Sequence, residues 1–354
     1  MIIPATPPPS PPSHDRLQVL ATTLPVALAS PQVVIDAQRA IEIAAEWFVV
    51  PWPDDTWDTS LHYFDNTERT LNWMALLDAL NFCFWGEPGQ SRWRVHWHGA
   101  WHDGYNALAA ALSRAIEEGY PLWDAAYLAR MSTSSLADIL RPDPDEHGAS
   151  TPIPLFDARL AHTRELGHVL LARFDGSFAN VIQAAQNDAV VLALLVGDAF
   201  SSFHDVATWE RRDVRFFKRA QILVSDITSA FRGKSSAGVG ASAGCEAWGQ
   251  LIGLDELTAF ADYKVPQLLR RLGILTYSAE LAARLDRMEE ISAGSPDEVA
   301  IRAATIWGVE LLRRALAEHG LQVAPAAIDY RLWQAGQTVH DLDRPYHRTR
   351  TIYY

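Results

Sequence analysis

At 354 residues, 49% of them apolar, the chain is long enough to bury a large core in one or two domains. A formal charge of -13 argues against a nucleic-acid polymer as ligand, because a phosphate backbone is bound by a basic surface. No apolar run approaches the ~20 residues of a membrane span, and two cysteines far apart, Cys83 and Cys245, suit a reduced cytoplasm better than a disulfide scaffold.

From the N-terminus, residues 1–14 carry six prolines and no basic region ahead of an apolar stretch, so they read as a disordered tail and not a secretory signal. Residues 15–354 are expected to form a single domain with an N-terminal and a C-terminal lobe. Apolar periodicity predicts helices over Ala37–Phe48, Leu71–Trp85, Gly104–Glu118, Ser134–Leu140 and Ala158–Phe174. It continues over Phe178–Phe203, Asp213–Phe231, Ser278–Met288, Asp297–Glu318 and Ala327–Ala335. Start signals support several of these: Ser134, Ser278, and Ser295-Pro296 followed by acids. One segment alternates instead. Arg92 to His98 predicts a small β-hairpin near 92–102 that turns at Gly99. His96, His98 and His102 are close enough in sequence to suggest a metal, but no carboxylate or cysteine cluster accompanies them, and the stretch reads as a solvent-facing strand. No metal and no cofactor is expected. Gly233–Gly244 reads as a loop between two helical blocks.

Several side chains depart from this background. Asp78 and Asp226 interrupt apolar helical runs, and a buried acid must be hydrogen-bonded or it is costly. Each either caps a loop or meets an arginine, or it accepts hydrogen bonds from a base or an amine. Lys218 lies two turns before Asp226 within a basic patch with Arg211, Arg212, Arg215 and Arg219. A second basic cluster comprises Arg344, His347, Arg348 and Arg350. Asn81 among Phe82, Phe84 and Trp85 is either core or a slot in which rings stack a base while an amide reads its edge. Cys83 and Cys245 lack the neighbours of a nucleophile, and no Gly-rich phosphate loop is present. The run from Leu257 to Gly273 sets Asp262, Tyr263 and Lys264 ahead of Pro266, which predicts a short helix begun by the proline and closed by Gly273. Asp262 then sits at the positive end of a helix dipole, a place suited to stabilising a cation.

Three of these segments resemble the queuosine salvage protein family, the queuosine 5′-phosphate N-glycosylase/hydrolases: Leu71 to Trp85, Phe216 to Asp226, and Phe260 to Gln267. Phe174 to Phe178 and Pro345 to Tyr354 fit the same family, and the similarity runs from about residue 40 to the end. The resemblance implies an all-α fold related to helix-hairpin-helix DNA glycosylases. It also implies hydrolysis of the N-glycosidic bond of queuosine 5′-monophosphate, releasing queuine, on the free nucleotide and not on intact tRNA. Under that reading Asp262 faces C1′ as catalytic carboxylate, with Lys218 on the ribose or phosphate side. Asp78, Asn81 and Asp226 read the base and its amine, Phe82 and Phe84 supply stacking surface, Tyr263 and Lys264 touch substrate or brace the acid, and His347, Arg348 and Arg350 hold the phosphate. The expected partners are the nucleotide and queuine, for a cytoplasmic monomer. Two rivals share much of this pattern: a DNA-repair glycosylase, which would need a basic face, and a non-catalytic queuine or nucleoside carrier.

Overall fold

Helices dominate the architecture, joined by three small antiparallel strand pairs. The computed structural model describes residues 15–53, 57–145, 147–234, 242, 244–338, 340 and 343–354. The proline-rich stretch 1–14 and most of the predicted Gly233–Gly244 loop lie outside the described residues. The chain opens with α1 (Val19–Ala29), β1 (Val33–Ile35), α2 (Ala37–Phe48) and α3 (Glu68–Ala79). A hairpin of β2 (Arg94–Trp97) and β3 (Ala100–Asp103) precedes α4 (Gly104–Glu117), α5 (Ala125–Ala129), α6 (Thr133–Ile139) and α7 (Phe156–Arg173). Then α8 (Phe178–Ala184) and α9 (Ala189–Ala199) lead to a second hairpin, β4 (Val206–Trp209) and β5 (Arg212–Arg215), and to α10 (Lys218–Phe231). The last third holds α11 (Cys245–Trp248), α12 (Lys264–Arg271), β6 (Leu275–Tyr277), α13 (Ala279–Asp286), α14 (Pro296–Glu318) and α15 (Pro325–Ala335). Among the described residues, no helix is long and apolar enough to cross a membrane.

The axis of the fold is α14. Ser295 caps it by accepting from Glu298 N, Pro296 occupies its first turn, and most of its residues are buried, which marks a core helix. Packed on it are α1, α2, α12 and α15, and β1 pairs with β6 beside it, so the two ends of the sequence share one core. On the other side, α3 is buried from Thr70 to Ala79 between α7, α8 and α10.

The predicted hairpin turns at His98 and Gly99, both with left-handed φ, and registers Val95 with His102 and His96 with Trp101. Its histidines are divided: His96 packs on Trp101, while His98 stacks on Trp97 and meets Glu117. Other boundaries differ from expectation for local reasons. The helix predicted to Trp85 ends at Ala79, because the fully buried Arg159 and Arg219 take the carbonyls of Asp78, Ala79, Leu80, Phe82 and Cys83. The Phe178–Phe203 run breaks at Gln186 and Asn187, both left-handed, and restarts where Asp188 accepts from Val190 N and Val191 N. Asp213–Phe231 begins as a strand, since Glu210 and Arg211 take the left-handed conformations of a two-residue hairpin turn. Ser132, not Ser134, caps the helix that follows it. The unpredicted α1 contains Pro25, which its sequence reads as a breaker.

Candidate active site

A cavity of about 700 Å³ opens between α10, α12, α15 and the start of α4, within the usual range for a small-molecule site. Asp262, Tyr263, Lys264, Lys218, Asp226, Asn81 and Phe84 all line it, so seven of the residues singled out in three distant segments meet at one place.

Asp262 is buried, and its Oδ1 accepts from Lys264 N at 2.7 Å and Val265 N at 2.8 Å. The acid therefore caps α12 itself, satisfying two amides that no helical carbonyl can reach. Pro266 is the third residue of α12 and not the first, a position that still needs no amide donor. The far end closes as predicted: Gly273 has φ +77°, its N donates to Arg270 O, and Ile274 N donates to Leu269 O, the paired bonds of a Schellman motif. Asp262 lines the cavity, and its Oδ2 has no hydrogen-bond partner among the described residues. Burial raises the Asp262 carboxyl above its ordinary range, against the lowering effect of the Lys218 ammonium and the two amides.

Lys218 begins α10 and is buried, which lowers its ammonium; the charge of Asp262 is the largest effect opposing that. Its ammonium forms no ion pair among the described residues and feels the charges of Asp262, Asp329 and Asp78 against that of Arg219. A buried ion pair sets both residues in place. Asp205 grips Arg302 of α14 through two bonds of 2.9 and 2.6 Å and also accepts from Lys218 N at 3.1 Å. Arg302 Nε in turn donates to Ala261 O, one residue before Asp262. One strut therefore holds the backbone of the lysine and of the acid.

Asp78 is fully buried at the end of α3, behind the cavity wall. Its Oδ1 accepts from Asn81 Nδ2 at 3.3 Å, its Oδ2 has no partner, and burial raises it to about 7. Asp226 faces the cavity without a hydrogen bond and is held well above the carboxylate range by burial and by the charge of Asp78. A negative charge on Asp78 therefore favours the protonated form of Asp226. Asn81 and Phe84 reach the wall, but Phe82 is wedged between the guanidinium groups of Arg159 and Arg219, 4.2 and 5.1 Å from its ring, and is not on it. Arg219 donates to main-chain carbonyls, while Arg211 and Arg212 lie exposed on the second hairpin, so the first basic cluster is dispersed. The structure also leaves His347, Arg348 and Arg350 off the cavity wall. His347 is buried against Tyr354, with burial lowering it to about 3; Arg348 donates to Gly86 O; Arg350 pairs with Glu87 beside Trp85.

Other wall residues went unread. Asp329 of α15 is buried and accepts from Phe260 N at 2.8 Å; an acid within the apolar run of a helix was the same signal as at Asp78. Arg92 and Lys264 approach each other around Tyr346: Arg92 donates to its hydroxyl at 3.0 Å, and Lys264 lies 5.4 Å from its ring centroid. Burial, then repulsion from Arg92, lowers the Lys264 ammonium, so the cavity carries two cations close together. Tyr263 packs on the same Tyr346, with ring centroids 4.8 Å apart and planes tilted by 39°. On another wall His62 bridges Asp58 O and the Tyr105 hydroxyl. The carbonyl only accepts, so Nδ1 carries the hydrogen and Nε2 accepts from Tyr105; burial lowers this imidazole to about 4 and keeps it neutral. Trp57, Tyr330 and Trp333 add flat aromatic surface.

The family model for queuosine salvage protein matches residues 61–354. The chain is 48% identical over 340 residues to the queuosine 5′-phosphate N-glycosylase/hydrolase of Sphaerobacter thermophilus, covering 96% of this chain and 98% of that one. It is 37% identical to the protein of the same name from Mus musculus over 348 residues, with 93% and 96% covered. A third, from Schizosaccharomyces pombe, is 30% identical over 312 residues, with 83% and 86% covered.

Proposed function

The chain belongs to the queuosine salvage protein family, and from that premise we propose that its cavity hydrolyses the N-glycosidic bond of queuosine 5′-monophosphate and releases queuine. The observation that carries the mechanism is the Asp262 carboxylate, pinned through one oxygen by two amides in the wall of a cavity that Lys218 also lines.

Queuine is a 7-deazaguanine, so its leaving group lacks the N7 that purine glycosylases can protonate, and more of the barrier falls on the sugar side. As C1′–N9 breaks, positive charge develops on the ribose. Asp262 Oδ2 faces that charge and stabilises it, or adds to it before water completes the reaction. Because its position is fixed before substrate arrives, little reorganisation is needed at the moment of reaction. Lys218 meets ribose oxygens and keeps Asp262 ionised. Asp226, with Asn81 and the buried Asp78 behind it, reads the base and its amine: an acid without a protein partner is desolvated at least cost by a ligand that brings the missing donor. Phe84 supplies stacking surface. For the 5′-phosphate, Lys264 and Arg92 are better placed than His347, Arg348 and Arg350, being paired cations on the cavity wall. Tyr263 braces them through Tyr346.

The same reading takes residues 15–354 as one domain, related to the helix-hairpin-helix DNA glycosylases and acting as a cytoplasmic monomer. Its supports are the mainly helical fold, the shared helix α14, and two buried cysteines in the free thiol form. A nucleotide substrate in place of duplex DNA is supported by the charge of -13.

Incubation with queuosine 5′-monophosphate and detection of free queuine by mass spectrometry tests substrate and activity together. Asp262→Asn keeps the shape, including an oxygen that can accept from Lys264 N and Val265 N, and removes the charge. It is expected to bind the nucleotide and release no queuine; normal turnover by that variant would sink the mechanism.

A further inference from the structure

We propose that Asp329 is the proton carrier of the hydrolysis, giving a proton to the departing base and taking one back from the attacking water. This rests on the reading of Asp262 as the group that meets the cation, and extends it to the half of the chemistry that Asp262 leaves undone.

Asp262 and Asp329 come from different elements but are anchored to one short segment. Asp262 Oδ1 is tied to the amides of Lys264 and Val265, and Asp329 Oδ1 to the amide of Phe260 at 2.8 Å. Each acid keeps a second oxygen without a hydrogen-bond partner among the described residues, and both residues line the cavity. Their surroundings nevertheless separate them. Asp262 receives two amides and the charges of Lys218 and Lys264, whereas Asp329 receives a single amide and the charge of Lys218 alone. Burial raises Asp329 well above the carboxylate range, and the charge on Asp262 raises it further. With Asp262 ionised, Asp329 therefore holds its proton. Two carboxyls in one cleft driven apart in this way have the arrangement of an acid beside an ionised partner.

The other charges around Asp329 do not compensate it. Lys218 faces it from α10 and is shared with Asp262 and Asp78. On α12, Lys264 donates to Gly336 O, Arg270 lies by Asp286, and Arg271 pairs with Asp343. On α14, Glu310 is taken by Arg313 and Arg314, and Arg302 is taken by Asp205, with Glu298 at 3.6 Å. Lys218 is a poorer proton donor than Asp329, since losing its proton would strip three acids of their shared cation.

The balance closes without another reactant. The C1′–N9 electron pair leaves with the base, and the Asp329 proton neutralises it, leaving an Asp329 carboxylate and a ribosyl cation opposite the Asp262 carboxylate. Water oxygen then bonds C1′, its proton returns to Asp329, and the products are queuine and ribose 5-phosphate.

Asp329→Asn retains an oxygen for Phe260 N–H and cannot carry the proton. The expected result is a fall in kcat of about 100-fold or more, with KM changed less than threefold and the alkaline limb of the pH profile lost. A kcat within threefold of the unsubstituted enzyme, with that limb intact, overturns the proposal. Asp329→Ala provides a second reading: added formate should restore part of its turnover by replacing the missing carboxyl. A folded Asp329→Ala protein that binds queuine normally and gains nothing from formate counts against it. Failure of the unsubstituted enzyme to release queuine would defeat the functional reading itself, so the two failures are distinguishable.

Discussion

A carboxylate that meets a developing cation has to be both ionised and immobile, and at Asp262 these two demands draw on different neighbours. The amides of Lys264 and Val265 fix its position, while the Lys218 ammonium opposes the burial that raises it. Because the raised group must be ionised to act, activity should decline on the acid side at a pH above the ordinary Asp value of about 3.9. The limb is read from kcat/KM against pH, and Lys218→Met, which removes the opposing charge, should move it to higher pH. At the other end of the substrate, Lys264→Ala and Arg92→Ala should each weaken the nucleotide about tenfold, roughly 1.4 kcal/mol, while changing the nucleoside little. Arg348→Ala should affect neither. Titration of catalytically inactive Asp262→Asn variants with nucleotide and nucleoside checks this, and an equal loss for both ligands would remove the phosphate assignment. Asp262 was legible because it stands just ahead of a proline in a short helix closed by glycine; Lys264 and Arg92 were not legible as a pair, because they meet around Tyr346, which comes from a third segment of the chain.

At the scale of elements, the strut between Asp205 and Arg302 joins the second hairpin, α10 and α14. Neither residue touches the cavity, and both are buried to a few per cent of their side-chain surface. Arg302→Met would leave Asp205 buried and unpaired, so a loss of about 3–5 kcal/mol is expected in denaturant unfolding. Turnover should fall with it, since Ala261 and Lys218 lose their shared anchor. Contact between α5 and α7 is equally specific: a Cβ on Gly167 would lie 2.2 Å from Ala129 N, so Gly167→Ala must push the two helices apart. Periodicity found the long helices but not their ends. It carried α3 through Trp85, because nothing local announces that two arginines from later helices will claim its last carbonyls.

For the whole molecule, the concentration of acids around one cavity has a thermodynamic consequence. Asp78, Asp226, Asp262 and Asp329 all have raised folded-state values, Asp78 to about 7. A raised carboxyl stabilises the fold at low pH, and that contribution is lost as pH climbs through the folded value. The buried neutral histidines His62, His162 and His347 act in the opposite sense, but only below about pH 6.5. The melting temperature of the ligand-free protein should therefore fall between pH 7 and 8.5. Asp226→Asn should raise the value at pH 8.5 by about 2–4 °C, as calorimetry would detect, because it removes a charge that the site holds for its ligand. An unchanged melting temperature in that variant would mean that substrate access already hydrates Asp226.

By itself the sequence determined the helical class, the hairpin at Gly99, the glycine stop of α12, and the family, since each depends on local spacing or on motifs in fixed order. Only the tertiary structure decided which charges share the cavity. Arg219 and Phe82 became part of the core, His347, Arg348 and Arg350 stayed off the wall, and Asp329, Arg92, His62 and Tyr105 joined Asp262 there. The physical reason is burial: whether a charge serves the ligand or the fold depends on which partner it finds across the core, and that partner lies in another element of the chain.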